Sequence, residues 1–192
     1  MTDTDKIVNY LRENLSEKRF KHSLGVAEEA KRLAGHYFAD GEKAYLAGLV
    51  HDCAKEIPET EAKKLLRDKY KIVIDPVSMN TPKLLHGPLG ACMAQSEFGI
   101  FDAEILDAIK YHTTAKADMS LLTKIIYMAD YIEPNRTFDG VEELREQAYD
   151  NLDRAIITGL DFTLSELISD GHMLHPDTVH ARNFLLMQKK RR

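Results

Sequence analysis

Leu49-Val50-His51-Asp52-Cys53-Ala54-Lys55 sets a histidine and an aspartate side by side at the end of an apolar run, with a lysine three residues on. Upstream, Asp40-Gly41 breaks the chain, and Asp40 suits the cap of a helix whose Ala44, Ala47, Leu49 and Val50 lead into the pair. Ala47 and Gly48 are small enough to let this helix approach its neighbours closely. Downstream, Ile57-Pro58 ends it, because the residue before proline is pushed away from helical geometry. The helix thus carries an imidazole and a carboxylate into apolar surroundings. Neither holds a metal firmly alone, and burying them without partners costs several kcal/mol. The rest of the chain must supply those partners.

Outward from this stretch the pattern is helical almost throughout. Residues 5–15 read as a short amphipathic helix with Ile7, Val8, Leu11 and Leu15 on one side. Ser16 is an N-cap for a helix to about residue 38, whose Phe20, Leu24, Ala27, Ala30, Ala34 and Tyr37 keep three-to-four spacing and whose first turns hold His22. Pro58 fits the first turn of a helix over about 59–70. Residues 71–82 are the main irregular stretch; Ile72-Val73-Ile74 has no strand to pair with. His86-Gly87-Pro88 opens a helix that Gly99 closes, and Asp102 caps another ending near His112. The apolar segment 120–132 carries Asp130 near its end, followed by a Glu133-Pro134-Asn135-Arg136 loop. Helices over about 141–149, 152–169 and 176–188 complete an all-α chain. It has no internal repeat, low-complexity segment or domain linker.

A charge of -5, from 26 Lys and Arg against 31 Asp and Glu, argues against general nucleic-acid binding, which rests on phosphate neutralisation. It leaves room for a small phosphorylated substrate, since bound cations can reverse the sign of one site. The two cysteines, Cys53 and Cys92, are far apart and fit a reducing cytoplasm. The polar, acidic start is wrong for a signal peptide, and no run reaches membrane-spanning length.

In chain order the candidate metal ligands are His22, His51, Asp52, His86, His112 and Asp130. Imidazole and carboxylate without thiolate suit iron, manganese, zinc or cobalt. Six protein ligands are too many for one catalytic ion that keeps open positions, and they divide between two. Asp52 would bridge, His22, His51 and Asp130 would complete one site, and His86 and His112 the other. Two divalent ions about 3.5–4 Å apart make a hydroxide nucleophile at neutral pH and clamp an in-line displacement, which is phosphoryl chemistry. A phosphoanhydride leaving group, itself a phosphate with a second pKa of about 6, needs little general-acid help. Lys55, one turn beyond Asp52, and Arg136 are candidate phosphate contacts. Thr113 and Thr114 offer hydroxyl or backbone donors.

The ordered set resembles the HD-domain metal-dependent phosphohydrolases. It is carried by Arg19-Phe20-Lys21-His22, His51-Asp52-Cys53-Ala54-Lys55, Leu85-His86-Gly87-Pro88, Tyr111-His112-Thr113-Thr114, Met128-Ala129-Asp130 through Arg136, and His175-Pro176-Asp177 through Asn183. A bare His-Asp pair is a weak signal, whereas the whole set spans the chain almost end to end. The similarity is greatest to the YqeK-type branch. It implies one HD domain over residues 1–192, a helical bundle with helices from about 141 packed on the core. It also implies a di-iron centre, Asp52 and Lys55 in the catalytic machinery, and symmetrical cleavage of diadenosine tetraphosphate to two ADP. The segment 171–182 is implied to close over the nucleotide, with His175 and Arg182 as contacts. Another nucleotide as substrate, or a sensor that binds without turnover, are the competing readings. No nucleic-acid or membrane partner is expected, and a homodimer is allowed.

Other residues read more plainly. His36 is a cation near a helix C-terminus. His172 and His175 add nothing to a full ligand set, Cys53 is a small buried apolar group, and Lys189-Lys190-Arg191-Arg192 is a solvated tail.

Overall fold

The computed structural model describes residues 4–189, so Met1 to Asp3 and Lys190 to Arg192 lie outside the described residues. Eleven α-helices are formed among the described residues, and no strand. They are α1 (Thr4–Asn14), α2 (Glu17–His36), α3 (Gly41–Val50), α4 (Glu59–Lys64), α5 (Pro76–Asn80), α6 (His86–Phe98), α7 (Ala103–Tyr111), α8 (Leu121–Ile132), α9 (Val141–Asp150), α10 (Leu152–Ser169) and α11 (Pro176–Lys189).

The caps explain most boundaries. Side chains of Ser16, Asp40, Asp102 and Ser120 each accept a backbone N–H at the start of α2, α3, α7 and α8. Gly99 ends α6 at a positive φ of 65° that costs glycine little. Two boundaries differ from the sequence reading. The helix expected to run through the His-Asp pair stops at Val50, and 51–57 continues as turns, with Cys53 N–H on Val50 O and Lys55 N–H on Asp52 O. The expected helix over 59–70 changes at Leu65 into a π-type turn, Leu65–Lys69. The irregular stretch also hides α5, capped by Asp75.

α8 is the centre. Apart from its first residue, Lys124 and the Asp130–Tyr131 pair, its side chains are buried, as expected of a helix surrounded by others. It packs against α2, α3, α7, α9 and α10, and α11 packs on α10. The buried face of α2 runs through Ser23, Val26, Ala27, Ala30, Leu33 and Ala34, rotated from the expected stripe. Phe20, Leu24 and Tyr37 are only partly buried. At that crossing a Cβ on Gly48 would lie 2.9 Å from Ala27 Cα, so only glycine permits the approach. No described helix is long and apolar enough to cross a membrane.

Candidate metal centre

Three of the four histidines expected to gather do so by one local device. His51 and His112 sit immediately after α3 and α7, where the last carbonyls of a helix lack partners. Each turns its Nδ1 back to the carbonyl three residues earlier: His51 to Gly48 O at 2.6 Å and His112 to Ile109 O at 2.7 Å. His86, at the head of α6, does the same to Lys83 O at 2.6 Å. His22 uses a carboxylate instead, with Nδ1 3.1 Å from Glu133 Oε1. A carbonyl or carboxylate only accepts, so Nδ1 carries the proton in all four rings and Nε2 is left as a lone pair.

Those lone pairs converge. His86 Nε2 and His112 Nε2 lie 2.9 Å apart, and His22 Nε2 lies 3.0 Å from Asp130 Oδ1. Acceptors this close repel unless a cation or an extra proton lies between them. Asp52, 1% exposed, divides the group. Its Oδ2 faces His51 at 3.5 Å, His22 at 3.8 Å and Arg19 Nη1 at 2.8 Å. Its Oδ1 faces His86 at 3.1 Å, His112 at 3.4 Å and Lys55 Nζ at 3.6 Å. Two overlapping triads result, His22–His51–Asp130 and His51–Asp52–His112, each with ligand atoms within 4.8 Å of one another. The buried atoms His22 Nε2, His51 Nε2 and Asp52 Oδ1 make no hydrogen bond. Buried polar atoms are rarely left so. Orphaned nitrogen and oxygen donors aimed at shared points fit divalent cations.

The same order of residues is found in known proteins. The HD domain model matches residues 19–135, which holds all six gathered side chains. The chain belongs to the HD-domain family. Its relatives include proteins named symmetrical bis(5'-nucleosyl)-tetraphosphatase. One from Halalkalibacterium halodurans is 42% identical, over 96% of this chain and 98% of its own length. One from Bacillus subtilis is 40% identical, over 92% and 94%. A crystal structure described as a predicted HD superfamily hydrolase involved in NAD metabolism, from Clostridium acetobutylicum, superposes with a TM-score of 0.95. It is 46% identical and covers 98% of this chain and 99% of that one. The all-α bundle expected from the sequence is therefore the HD-domain fold.

Burial sets the protonation of this HD-domain cluster. It pushes His51 down to about 3, against the pull of Asp52, and His86 down to about 4. Both rings are neutral at pH 7, as ligands must be. Burial opposes the charge on Asp52, and positive charge on the rings facing it, His51 first and then His112 and His86, is what lowers its carboxyl below the usual range. Asp130 is likewise lowered against its burial, by a proton between it and His22 first, then by positive charge on His51 and by Arg136. Burial lifts the Cys53 thiol to about 12, so the cysteine beside the pair is inert.

The candidate substrate contacts separate into those brought to the cluster and those that are not. Lys55 Nζ is 3.1 Å from His86 Nε2. Thr113 Oγ1 is 3.2 Å and 3.0 Å from the Nε2 atoms of His86 and His112. Arg136 Nη2 is 2.6 Å from Asp130 Oδ1 and its Nε donates to Asp130 O, so it steadies that carboxylate. Thr114 and His175 line an adjoining cleft with Thr113. There His175 Nε2 is 3.4 Å from Asp75 Oδ2, and Asp177 N–H donates to its Nδ1. Arg182 does not join them. The face of α11 laid inward carries Thr178, Ala181 and Leu185, and Arg182 beside it pairs with Asp161 of α10.

Two side chains at the cluster had no role assigned from sequence. Arg19 lies one turn before His22 and reaches Asp52. Glu133 is 1% exposed, takes His22 on Oε1 and accepts Asn135 N and Nδ2 on Oε2, both at 2.8 Å. Its place depends on Gly25, where a Cβ would lie 2.5 Å from Oε2. A glutamate on the loop three residues after Asp130 was the signal available.

Proposed function

We propose that this chain cleaves diadenosine tetraphosphate at its central phosphoanhydride to give two ADP. Supporting the reading above all is the convergence of four Nδ1-protonated imidazoles on the two oxygens of one buried carboxylate. The names of the relatives supply the substrate.

In this reading His22, His51 and Asp130 would hold one divalent ion and His86 and His112 a second, with Asp52 available to both. The bound pair supplies positive charge for the phosphoryl oxygens and acidifies water enough to attack near neutral pH. The chain's own side chains do the rest. Glu133 and the three carbonyls keep each ring turned so that Nε2 faces inward. Lys55, Arg19 and Arg136 stand around the carboxylates as cations for phosphate oxygens, and Thr113 adds a hydroxyl beside His86. Water oxygen bonds to one of the two central phosphorus atoms. The P–O bond on its far side breaks, and the bridging oxygen leaves on the second ADP. Thr114 and His175 are further contacts; the pairing of Arg182 with Asp161 gives no support to its part.

Iron is the metal we assign, with manganese, cobalt and zinc served by the same donors. We take residues 1–192 as one domain, since a continuous buried core runs from Ile7 to Leu185. The cytoplasm suits two free cysteines. Light scattering will distinguish a monomer from a homodimer.

Anaerobic metal analysis with product chromatography tests the proposal. Two ions per chain and ADP alone are expected. ATP plus AMP would overturn symmetrical attack, and nucleotide binding without any hydrolysis would favour a sensor.

A further inference from the structure

Asp52 has the same kind of company on both oxygens: two histidines and one cation on each side. Each side opens into its own cleft. Beyond Oδ2, next to His22, lies a cleft of about 680 Å³ lined by Lys18, Arg19, Lys21, Arg136 and the half-exposed ring of Phe138. Beyond Oδ1, reached past Thr113, lies one of about 510 Å³ lined by Ile72, Val73, Tyr111, Thr114 and His175. Val73 is 94% exposed and Ile72 39%, apolar side chains spent on a surface that no described residue covers. Pockets of roughly 300–1,000 Å³ hold ligands of nucleotide size.

We propose that each cleft holds one nucleoside end of the substrate, so that the polyphosphate crosses Asp52 and its midpoint is placed there. This rests on the symmetrical hydrolase reading and explains it. With two histidines and a cation on each oxygen of one carboxylate and a nucleoside anchored on each side, the bond nearest the carboxylate is the central one. The cleft beyond Oδ2 uses Phe138 as a stacking face and its four cations for the neighbouring phosphates. The cleft beyond Oδ1 uses Ile72 and Val73 as an apolar floor. A base stacked on an aromatic ring is worth about 1–3 kcal/mol, a change of roughly 5- to 150-fold in binding.

The test is steady-state kinetics of Phe138→Ala and of Ile72→Ser/Val73→Ser on diadenosine tetraphosphate, and on adenosine 5'-tetraphosphate, which has one nucleoside. Lys21→Ala is a second variant for the first cleft, should loss of the Phe138 ring disturb its loop. Bound metal and circular dichroism are checked against the wild type. Each cleft's variant is expected to raise KM for the two-ended substrate about tenfold with kcat nearly kept. The one-ended substrate, free to use the other cleft, is expected to lose less. Wild-type KM in the variants of either cleft overturns the proposal. Failure of the wild type itself to form ADP would instead overturn the hydrolase reading on which it rests.

Discussion

Gly87→Ala is expected to disable the cluster without touching a polar atom. Gly87 follows His86 in α6, and a Cβ there would lie 2.6 Å from Lys110 O, a backbone atom of α7 that cannot turn aside. The two helices must part by roughly 0.8 Å to restore an ordinary 3.4 Å contact, since packed interiors have little slack. That movement carries His86 away from His112, whose Nε2 atoms are now 2.9 Å apart. Overpacking of this kind costs about 1–3 kcal/mol, or about 2–12 °C in Tm for a chain of this size. The effect on turnover is larger, because about 1 Å of misplacement can cost on the order of 10²-fold in rate. Thermal unfolding, metal content and kcat would be measured beside Gly35→Ala. Gly35 sits in the last turn of α2, and a methyl group there would meet no atom within 4 Å. That variant is expected to keep full activity and gain up to about 1 kcal/mol. Full activity and an unchanged Tm in Gly87→Ala would refute the claim that the α6–α7 approach sets the pair.

Three further outcomes follow from the same contacts. Glu133→Gln must turn an amide N–H₂ toward one of the donors that Glu133 now accepts, and is expected to weaken divalent-metal affinity about 10- to 100-fold by titration calorimetry; unchanged affinity would mean that His22 needs no carboxylate to orient it. Asp52→Asn is expected to hold fewer ions per chain than the wild type and to lose hydrolysis, and equal metal content would show that this carboxylate is not shared. Metal-free protein is expected to lose stability as pH falls from about 6.5 to about 4. His51 and His86 stay neutral in the folded chain down to about 3 and about 4, while the unfolded chain takes up protons near 6.5. The unfolded state thus binds up to two more protons, giving a slope approaching roughly 2.7 kcal/mol per pH unit. Denaturant midpoints that do not move across this range would contradict the burial of neutral rings.

The helices were legible because their signals are local. Asp40, Asp102 and Ser120 cap helices with their own side chains, and Gly99 ends one with its own φ. The six gathered residues were legible as an ordered set, since each is an ionisable or imidazole group inside an apolar segment. What the sequence hid lies in approaches between distant elements. The end of α3 at Val50 follows from His51 taking the Gly48 carbonyl, and nothing in the local pattern separates that from a helix running on to Pro58. Arg19 stands in the sequence only as part of a motif, and it is the turn after α3 that brings Asp52 to it. Glu133 reads as a loop residue until Gly25, far earlier in the chain, leaves space for its carboxylate. Arg182 shows the converse: its motif is intact, and the packing of α11 pairs it with Asp161.

A chain of net charge -5 must still accept a polyanion, and the cluster shows how. Its three carboxylates, Asp52, Asp130 and Glu133, stand against three cations, Arg19, Lys55 and Arg136, while His51 and His86 are held neutral. Side chains alone therefore leave the site near neutrality, with little pull on phosphate. Two divalent ions would add four positive charges at the point where the lone pairs meet. Four is also the negative charge of a dinucleoside tetraphosphate. Metal loading would add, beside the cations of the cleft, the positive charge that the cluster's own side chains do not supply, which is how bound ions invert the local electrostatics of a site. On this view Arg19 and Lys55, each now lying on one oxygen of Asp52, are held in place for phosphate by the carboxylate that the metals would share.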